Sequence, residues 1–164
     1  MDLSSQQSLL VGPVGWQQGF YDEDFPMLPG AGVDLIYQAP GEYSIRVVSG
    51  FLQYLCSSAS TGRYMQVNLE DGKGNVMGKY FSFGQISANT LVEMTLATFT
   101  NSSAVAEGVY PQVAIPDMII KPGWLLRFTA LNRDNGDQWY SASLCVQKFY
   151  TNVQPPPLPN ATTP

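Results

Sequence analysis

The sequence predicts an all-β protein: an antiparallel, jelly-roll-like β-sandwich of about eight strands with extended N- and C-terminal arms. Short runs rich in Val, Ile, Tyr, Phe and Thr lie between Gly and Pro residues, which is the spacing typical of strands and turns. Apolar and polar residues alternate within several runs, as in residues 43–47. Charged residues are only 13% of the chain, and no stretch keeps a helical period, so long charged helices are not expected.

The predicted strands follow one another from residue 34 to residue 149. They are Asp34–Ala39, Tyr43–Ser57, Tyr64–Glu70, Val76–Phe83, Leu91–Thr100, Val113–Ile120, Leu125–Leu131 and Trp139–Phe149. The second strand is long enough to bend, and Gly50 is its expected kink or bulge. Residues 70–75, 121–123 and 132–137 have the Gly, Pro, Asn and Asp residues of tight turns, with a type II turn expected at Lys121-Pro122-Gly123.

Three parts are expected along the chain: an N-terminal arm (1–32), the β-sandwich domain (33–151) and a Pro-rich C-terminal tail (152–164). The arm is too apolar for a disordered tail and too irregular for a strand, so it should pack on its own sandwich or on a neighbour. Aromatic residues dominate interfaces, and the predicted anchors are Trp16, Phe20, Tyr21 and Phe25. The tail favours a polyproline II conformation, either as a stiff solvated end or as a docking arm.

Several classes of chemistry are disfavoured by composition. The chain has no histidine, which excludes His-dependent nucleophiles and His-ligated zinc. The acidic groups, residues 22–24 and the pair Asp134 and Asp137, lie in polar contexts and are interpreted as solvated, so no catalytic residue, metal or cofactor is predicted. A net charge of −5 without a Lys/Arg cluster disfavours nucleic acid and anionic membranes as partners. Cys56 and Cys145 are interpreted as buried thiols, with a disulfide between them left open.

Residues 115–128 (IPDMIIKPGWLLRF), followed by residues 137–141 (DQWYS), resemble the C-terminal hairpin of jelly-roll structural proteins in tailed-bacteriophage virions. In that family a turn with Pro, Gly and Trp leads into a strand, and a polar loop with Asp leads to the last strand. The resemblance implies a non-enzymatic capsid cement or decoration subunit, made in the host cytoplasm and located on the virion surface. It also implies a homotrimer whose arms bridge copies of the major capsid protein.

Two other functions stay open. One is a carbohydrate- or receptor-binding module of a phage tail or fibre, in which Trp124, Trp139 and Tyr140 would stack on a glycan. The other is a carboxylate-based hydrolase, which would depend on Asp134 or Asp137.

Overall fold

The computed structural model describes residues 19–58, 62–82, 85–97 and 112–151, and the regular structure in these ranges is β-strand. The strands are β1 (Phe20–Asp24), β2 (Leu35–Gln38), β3 (Tyr43–Leu55), β4 (Tyr64–Glu70), β5 (Val76–Phe81), β6 (Leu91–Ala97), β7 (Gln112–Ala114), β8 (Leu125–Leu131) and β9 (Gln138–Tyr150). They form two sheets, one with the strand order β1-β9-β3-β6-β7 and the other with the order β2-β8-β4-β5. The predicted all-β sandwich is therefore confirmed.

The strand pairing is nested, as in a long antiparallel hairpin rolled into two layers. With the short β7 set aside, the first strand pairs with the last, β2 with β8, β3 with β6, and β4 with β5, each pair antiparallel. This is the arrangement of a jelly roll, in which two Greek keys interlock. Strand β7 extends the first sheet by a parallel pairing with β6.

Alternating side chains from both sheets meet in one core. In β8, Leu126, Phe128 and Ala130 are buried while the residues between them are partly exposed. Because successive side chains of a strand point to opposite faces, this pattern places the buried residues of β8 on one face of the sheet. The buried residues of the two sheets form a single hydrophobic cluster, with Trp139 as its largest member.

The predicted turns agree with the structure. Trp124 N donates to Lys121 O (3.1 Å) and Gly123 has a φ of +76°, as a type II turn requires. In the turn after β4, the Asp71 carboxylate accepts hydrogen bonds from the amides of Lys73 and Asn75, and Gly74 has a φ of +86°.

Three expectations about strands were wrong. Strand β1 lies inside the arm that was expected to be too irregular for a strand. Strand β7 ends at Ala114 instead of continuing to Ile120; Pro116, which follows shortly, has no N–H to donate to a ladder. The bulge in β3 falls at Val48, between Val47 and Ser49, rather than at Gly50. Residues 83 and 98–100, predicted as strand ends, lie outside the described residues.

Candidate interaction surface

The core-facing side of the edge strand β1 carries two acidic residues that take part in a charged cluster. This cluster, here called the latch, consists of Asp22, Asp24, Lys148 and Tyr37. Asp22 and Asp24 lie opposite the buried residues Val146 and Leu144 of β9, so both are on the core-facing side of β1, where the Asp24 side chain is partly buried and the Asp22 side chain is 47% exposed. The Lys148 ammonium, in a side chain that is only 10% exposed, donates to Asp22 Oδ2 (2.8 Å) and Asp24 Oδ1 (2.7 Å). The Tyr37 hydroxyl of β2 donates to Asp24 Oδ2 (2.5 Å), which links the edge strands of the two sheets.

These contacts shift the protonation equilibria of the latch. Burial opposes the charged form of Lys148, but its hydrogen bonds to Asp22 and Asp24 outweigh burial and raise the pKa of the ammonium. The hydrogen bond from Lys148 lowers the pKa of Asp22. Burial, followed by the bond to Asp24, raises the pKa of Tyr37. These shifts favour a charged Lys148, an ionised Asp22 and a neutral Tyr37 at neutral pH.

An aromatic cluster, defined here as Phe20, Tyr43 and Tyr150, lies where β1 and β3 begin and β9 ends. The ring centroids of Tyr43 and Tyr150 are 4.9 Å apart, and those of Phe20 lie 5.7 Å and 5.9 Å from the two tyrosines. A hydrogen bond between the two tyrosine side chains raises the pKa of Tyr43. Phe20 and Tyr150 nevertheless remain exposed, so the cluster is a surface feature of this end of the sheet.

A second surface feature, here called the arm surface, follows the latch along the chain. Tyr21, Phe25 and Met27 are 66%, 71% and 90% exposed, so these large apolar side chains lie in solvent and not in the core. Leu28 and Val33 are exposed as well. The segment that carries these residues runs from β1 to β2 and is tied to the body at Gly32, whose N–H donates to Asp137 O (2.7 Å). The arm surface is thus presented from a fixed segment between two edge strands.

The predicted arm anchors have different environments in the structure. Tyr21 and Phe25 belong to the arm surface, whereas Phe20 contacts the two tyrosines of its own chain. Trp16 lies outside the described residues. The sequence interpretation of residues 22–24 as a solvated acidic group was wrong for Asp24, which is partly buried against Lys148.

The second acidic group forms a buried ion pair. Arg63 and Asp137 have fully buried side chains, and Arg63 Nη2 lies 2.9 Å from Asp137 Oδ1. The same carboxylate accepts hydrogen bonds from the Tyr54 hydroxyl (3.0 Å) and the Ser57 amide (2.7 Å). Burial by itself would raise the pKa of Asp137, but the bonds from Arg63 and from the backbone amides outweigh it and lower that pKa.

The expectation that Asp137 is a solvated turn residue is therefore wrong. Its carboxylate is saturated with donors and closed to solvent, so it functions as a structural connection between the end of β3, the start of β4 and the turn before β9. Asp134 supports the same turn through a hydrogen bond from the Gly136 amide (2.9 Å). Among the described residues, no group of three or more His, Cys, Asp or Glu side chains is arranged to hold a metal ion.

The three predicted ligand-stacking residues have different environments. Trp139 is 2% exposed and packs on Tyr54 and Phe128, so a surface-stacking role for this ring was a wrong expectation. Trp124 is partly buried beneath the Lys121 ammonium, which lies 5.6 Å from its ring centroid. Tyr140 is exposed because it is the extra residue of a bulge in β9, between the partners of Gln53 and Tyr54.

Both cysteines are free thiols. Cys56 is buried as predicted, and burial raises its pKa to about 11. Cys145 is only partly buried and lies in β9 opposite Glu23 of β1. Together with Tyr21 and Asp22, these two residues border a shallow depression beside the arm surface.

The fold defines the class of the protein as a jelly-roll β-sandwich, and an exposed apolar segment lies at one edge of it. No protein-family model, curated protein or solved structure matches the chain. In the part of the chain that the structure describes, no helix is long and apolar enough to cross a membrane.

Proposed function

We propose that the chain is a non-enzymatic structural subunit of a virion, a capsid cement or decoration protein that bridges neighbouring copies of the major capsid protein. The observation that carries the proposal is the arm surface, in which Tyr21, Phe25, Met27, Leu28 and Val33 expose apolar side chains within thirteen residues of chain. A folded domain that concentrates large apolar side chains in one exposed segment gains from covering them with a partner. Aromatic side chains in such a segment supply most of the binding energy of an interface.

The latch supports this function because it gives the arm surface a rigid base. Interface residues bind best when their supporting elements are already ordered, since less conformational entropy is then lost on association. Strand β1 is held by five register positions on β9 and by the ion pairs of Lys148. The arm surface begins in this strand, so the subunit can bind its neighbour without first folding a segment.

The mechanism of capsid stabilisation would be geometric. Each subunit would rest on the outer shell and contact more than one capsid protein, so that several interfaces must break before the shell opens. A closed homotrimer would place three arm surfaces around one axis and increase this effect. A net charge of −5 leaves the subunit without attraction for nucleic acid during assembly.

Substitution of the arm surface tests the proposal. Deleting residues 1–28 would also remove β1, so we choose the triple variant Tyr21→Ser, Phe25→Ser, Met27→Ser, which leaves Asp22 and Asp24 on Lys148. The matched control replaces two exposed apolar residues elsewhere, Leu91→Ser and Ile119→Ser.

Binding is measured by co-sedimentation with undecorated capsids of the phage that encodes the chain. We expect the arm variant to lose at least about tenfold in affinity, which is about 1.4 kcal/mol, while the control binds like the wild type. Equal capsid occupancy by the arm variant and the wild type would contradict the proposal. Light scattering behind a sizing column gives the molar mass in solution. We expect the mass of a trimer of the 18.0 kDa chain.

A carbohydrate- or receptor-binding role for a phage tail or fibre is the second candidate, and one observation favours it. Next to the exposed Tyr140, the Ser141 hydroxyl donates to Gln53 Oε1 (3.0 Å), and Gln53 Nε2 donates to Glu93 Oε1 (3.2 Å). An aromatic ring beside an ordered polar network is a typical sugar-binding arrangement. A glycan-array signal that is lost on Tyr140→Ala but kept by the arm variant would favour this function over the cement role.

A further inference from the structure

We propose that strand β1 of one copy of the chain pairs with strand β5 of a second copy. The inference deepens the proposed function, because it rests on the homotrimer and names the contact that would build it. Of the described strands, β1, β2, β5 and β7 lie at sheet edges, and β1 and β5 are the longest of these, with five and six residues.

Both strands have an edge that is open to pairing. Within the described residues, β1 pairs with β9 and β5 pairs with β4, and the other edge of each strand has no partner strand. The isolated bridge between Ser82 and Val113 begins only after β5 has ended. The unpaired N–H and C=O groups of such an edge are a template for pairing with another chain.

The outer side of β1 has an apolar, acidic, apolar pattern. Because successive side chains alternate and Asp22 is on the core-facing side, Tyr21 and Glu23 are on the outer side. Phe25 follows at the next alternate position, just after the strand, and all three residues are exposed. Glu23 forms no ion pair in the part of the chain that the structure describes, so its charge is available to a partner.

The outer side of β5 has the complementary pattern, which is apolar, basic, apolar. The core-facing positions of this strand lie opposite buried residues of β4, and Tyr80 packs against the hydrophobic cluster. Met77, Lys79 and Phe81 are at the alternate positions and are exposed. Lys79, like Glu23, has no ion pair among the residues that the structure describes.

One antiparallel register brings the two patterns together. If Glu23 lies opposite Lys79 of the second copy, Tyr21 lies opposite that copy's Phe81, because antiparallel strands advance in opposite directions. By the same spacing, Phe25 comes opposite the second copy's Met77. Opposite charges and aromatic or apolar side chains that face each other across two strands stabilise the pairing.

Pairing between two identical edges is less favourable. Two antiparallel β1 strands would bring their acidic residues 22–24 together, and two β5 strands that match Met77 with Phe81 would place Lys79 opposite Lys79. The contact therefore joins two different edges, and a trimer is the smallest closed ring that such a heterologous contact can form. Tyr21 and Phe25 would then contact the second copy, and the rest of the arm surface stays available to the capsid protein.

Charge reversal tests the contact on the full chain in the absence of capsids. Glu23→Lys and Lys79→Glu each place like charges opposite each other, whereas the double variant restores an opposite pair with the signs exchanged. Light scattering behind a sizing column, over a series of protein concentrations, measures the association. We expect each single variant to lose at least about tenfold in association constant and the double variant to regain the trimer.

The matched control makes the same charge changes away from the strand edges. Glu42 and Lys73 are exposed turn residues outside the strands. Glu42→Lys, Lys73→Glu and their combination should all keep the wild-type mass. A control variant that dissociates like the edge variants would show that general charge, and not the β1–β5 contact, sets the association.

Cross-linking tests the register. In a Cys145→Ser background, Tyr21→Cys combined with Phe81→Cys places two thiols opposite each other between copies, about 4.5–5.5 Å apart at Cα, which a disulfide spans. We expect mild oxidation to give covalent trimers. Tyr21→Cys combined with Met77→Cys is the control, because these positions face each other only in a parallel pairing. Cross-linking of the control pair alone would refute the antiparallel register.

The inference is wrong if the wild type is a monomer or a dimer in solution, if the single reversals leave the trimer unchanged, or if the double variant does not regain it. Co-sedimentation of the same variants with capsids separates this inference from the proposed function. A trimer that does not bind capsids would refute the capsid role alone. A monomer that binds capsids would refute the β1–β5 contact alone.

Discussion

Replacing Asp137 by asparagine should destabilise the protein more than any other single charge change that we consider. Asp137 accepts hydrogen bonds from Arg63 Nε (3.0 Å) and Nη2 (2.9 Å), from the Tyr54 hydroxyl (3.0 Å) and from the amides of Ser57 (2.7 Å) and Asp134 (3.0 Å). Asparagine keeps one acceptor oxygen, and its amide hydrogens face the guanidinium. The buried Arg63 charge then has no counterion on this residue.

The magnitude follows from burial. Removing one partner of a buried ion pair costs about 3–5 kcal/mol, because the other charge stays desolvated. With a urea m-value of about 2 kcal/mol/M, this loss lowers the unfolding midpoint by about 1.5–2.5 M. In a chain of this length the same loss lowers the Tm by about 6–20 °C.

The chain provides a matched control with the same chemistry at the surface. Arg46 and Asp117 form a bidentate salt bridge in which both N–O distances are 2.5 Å, but their side chains are 39% and 50% exposed. Exposed pairs contribute about 0–1 kcal/mol, so Asp117→Asn should shift the urea midpoint by no more than about 0.5 M. Equal midpoint shifts for Asp137→Asn and Asp117→Asn would show that burial does not determine the strength of the pair.

The pH dependence gives an independent check. The pKa of Asp137 is lowered in the folded state, so its contribution to stability is complete well above the ordinary carboxyl value of 3.8 and is lost as the pH falls toward the folded-state pKa. The difference between the wild type and Asp137→Asn should therefore be largest near neutral pH and should shrink as the pH falls from about 5 toward 2. A difference that grows on acidification would show that the sign is wrong.

Three further predictions concern packing, thiol access and the latch. A Cβ at Gly50 would lie 2.7 Å from Leu144 Cδ2, so Gly50→Ala should reduce the unfolding free energy measured in urea by about 1–3 kcal/mol, and an unchanged midpoint would contradict this. Cys56 is buried and its pKa is raised to about 11, so in a Cys145→Ser variant at pH 8 this thiol should react with a thiol reagent only as fast as the protein unfolds. Immediate reaction of the single thiol in the folded variant would refute this. Lys148→Met should leave two inward carboxylates without their cation and increase hydrogen exchange in β1 relative to β8, whereas equal protection of β1 in both proteins would show that the latch does not hold the strand.

The interaction surface could be predicted only in part. Tyr21 and Phe25 were predicted as anchors from their residue type, and the structure leaves both exposed. Trp139 and Tyr140 are adjacent large aromatic residues at the start of one strand, and local sequence does not distinguish them. The bulge in β9 does: Trp139 packs into the core, and Tyr140 is the extra residue at the surface. A bulge depends on the register with the partner strand, which no local pattern contains.

The sequence by itself determined the strands whose residues alternate between turns. Strands β4 and β8 have the predicted bounds, because both local alternation and turn chemistry act over a few residues and need no distant partner. Strand β1 and the Asp137 site were decided only by the tertiary structure. Lys148 lies 124 residues after Asp24, and Arg63 lies 74 residues before Asp137. An inward carboxylate is stable only when a distant cation reaches it, so acidic residues that look solvated along the chain become buried once the two sheets close.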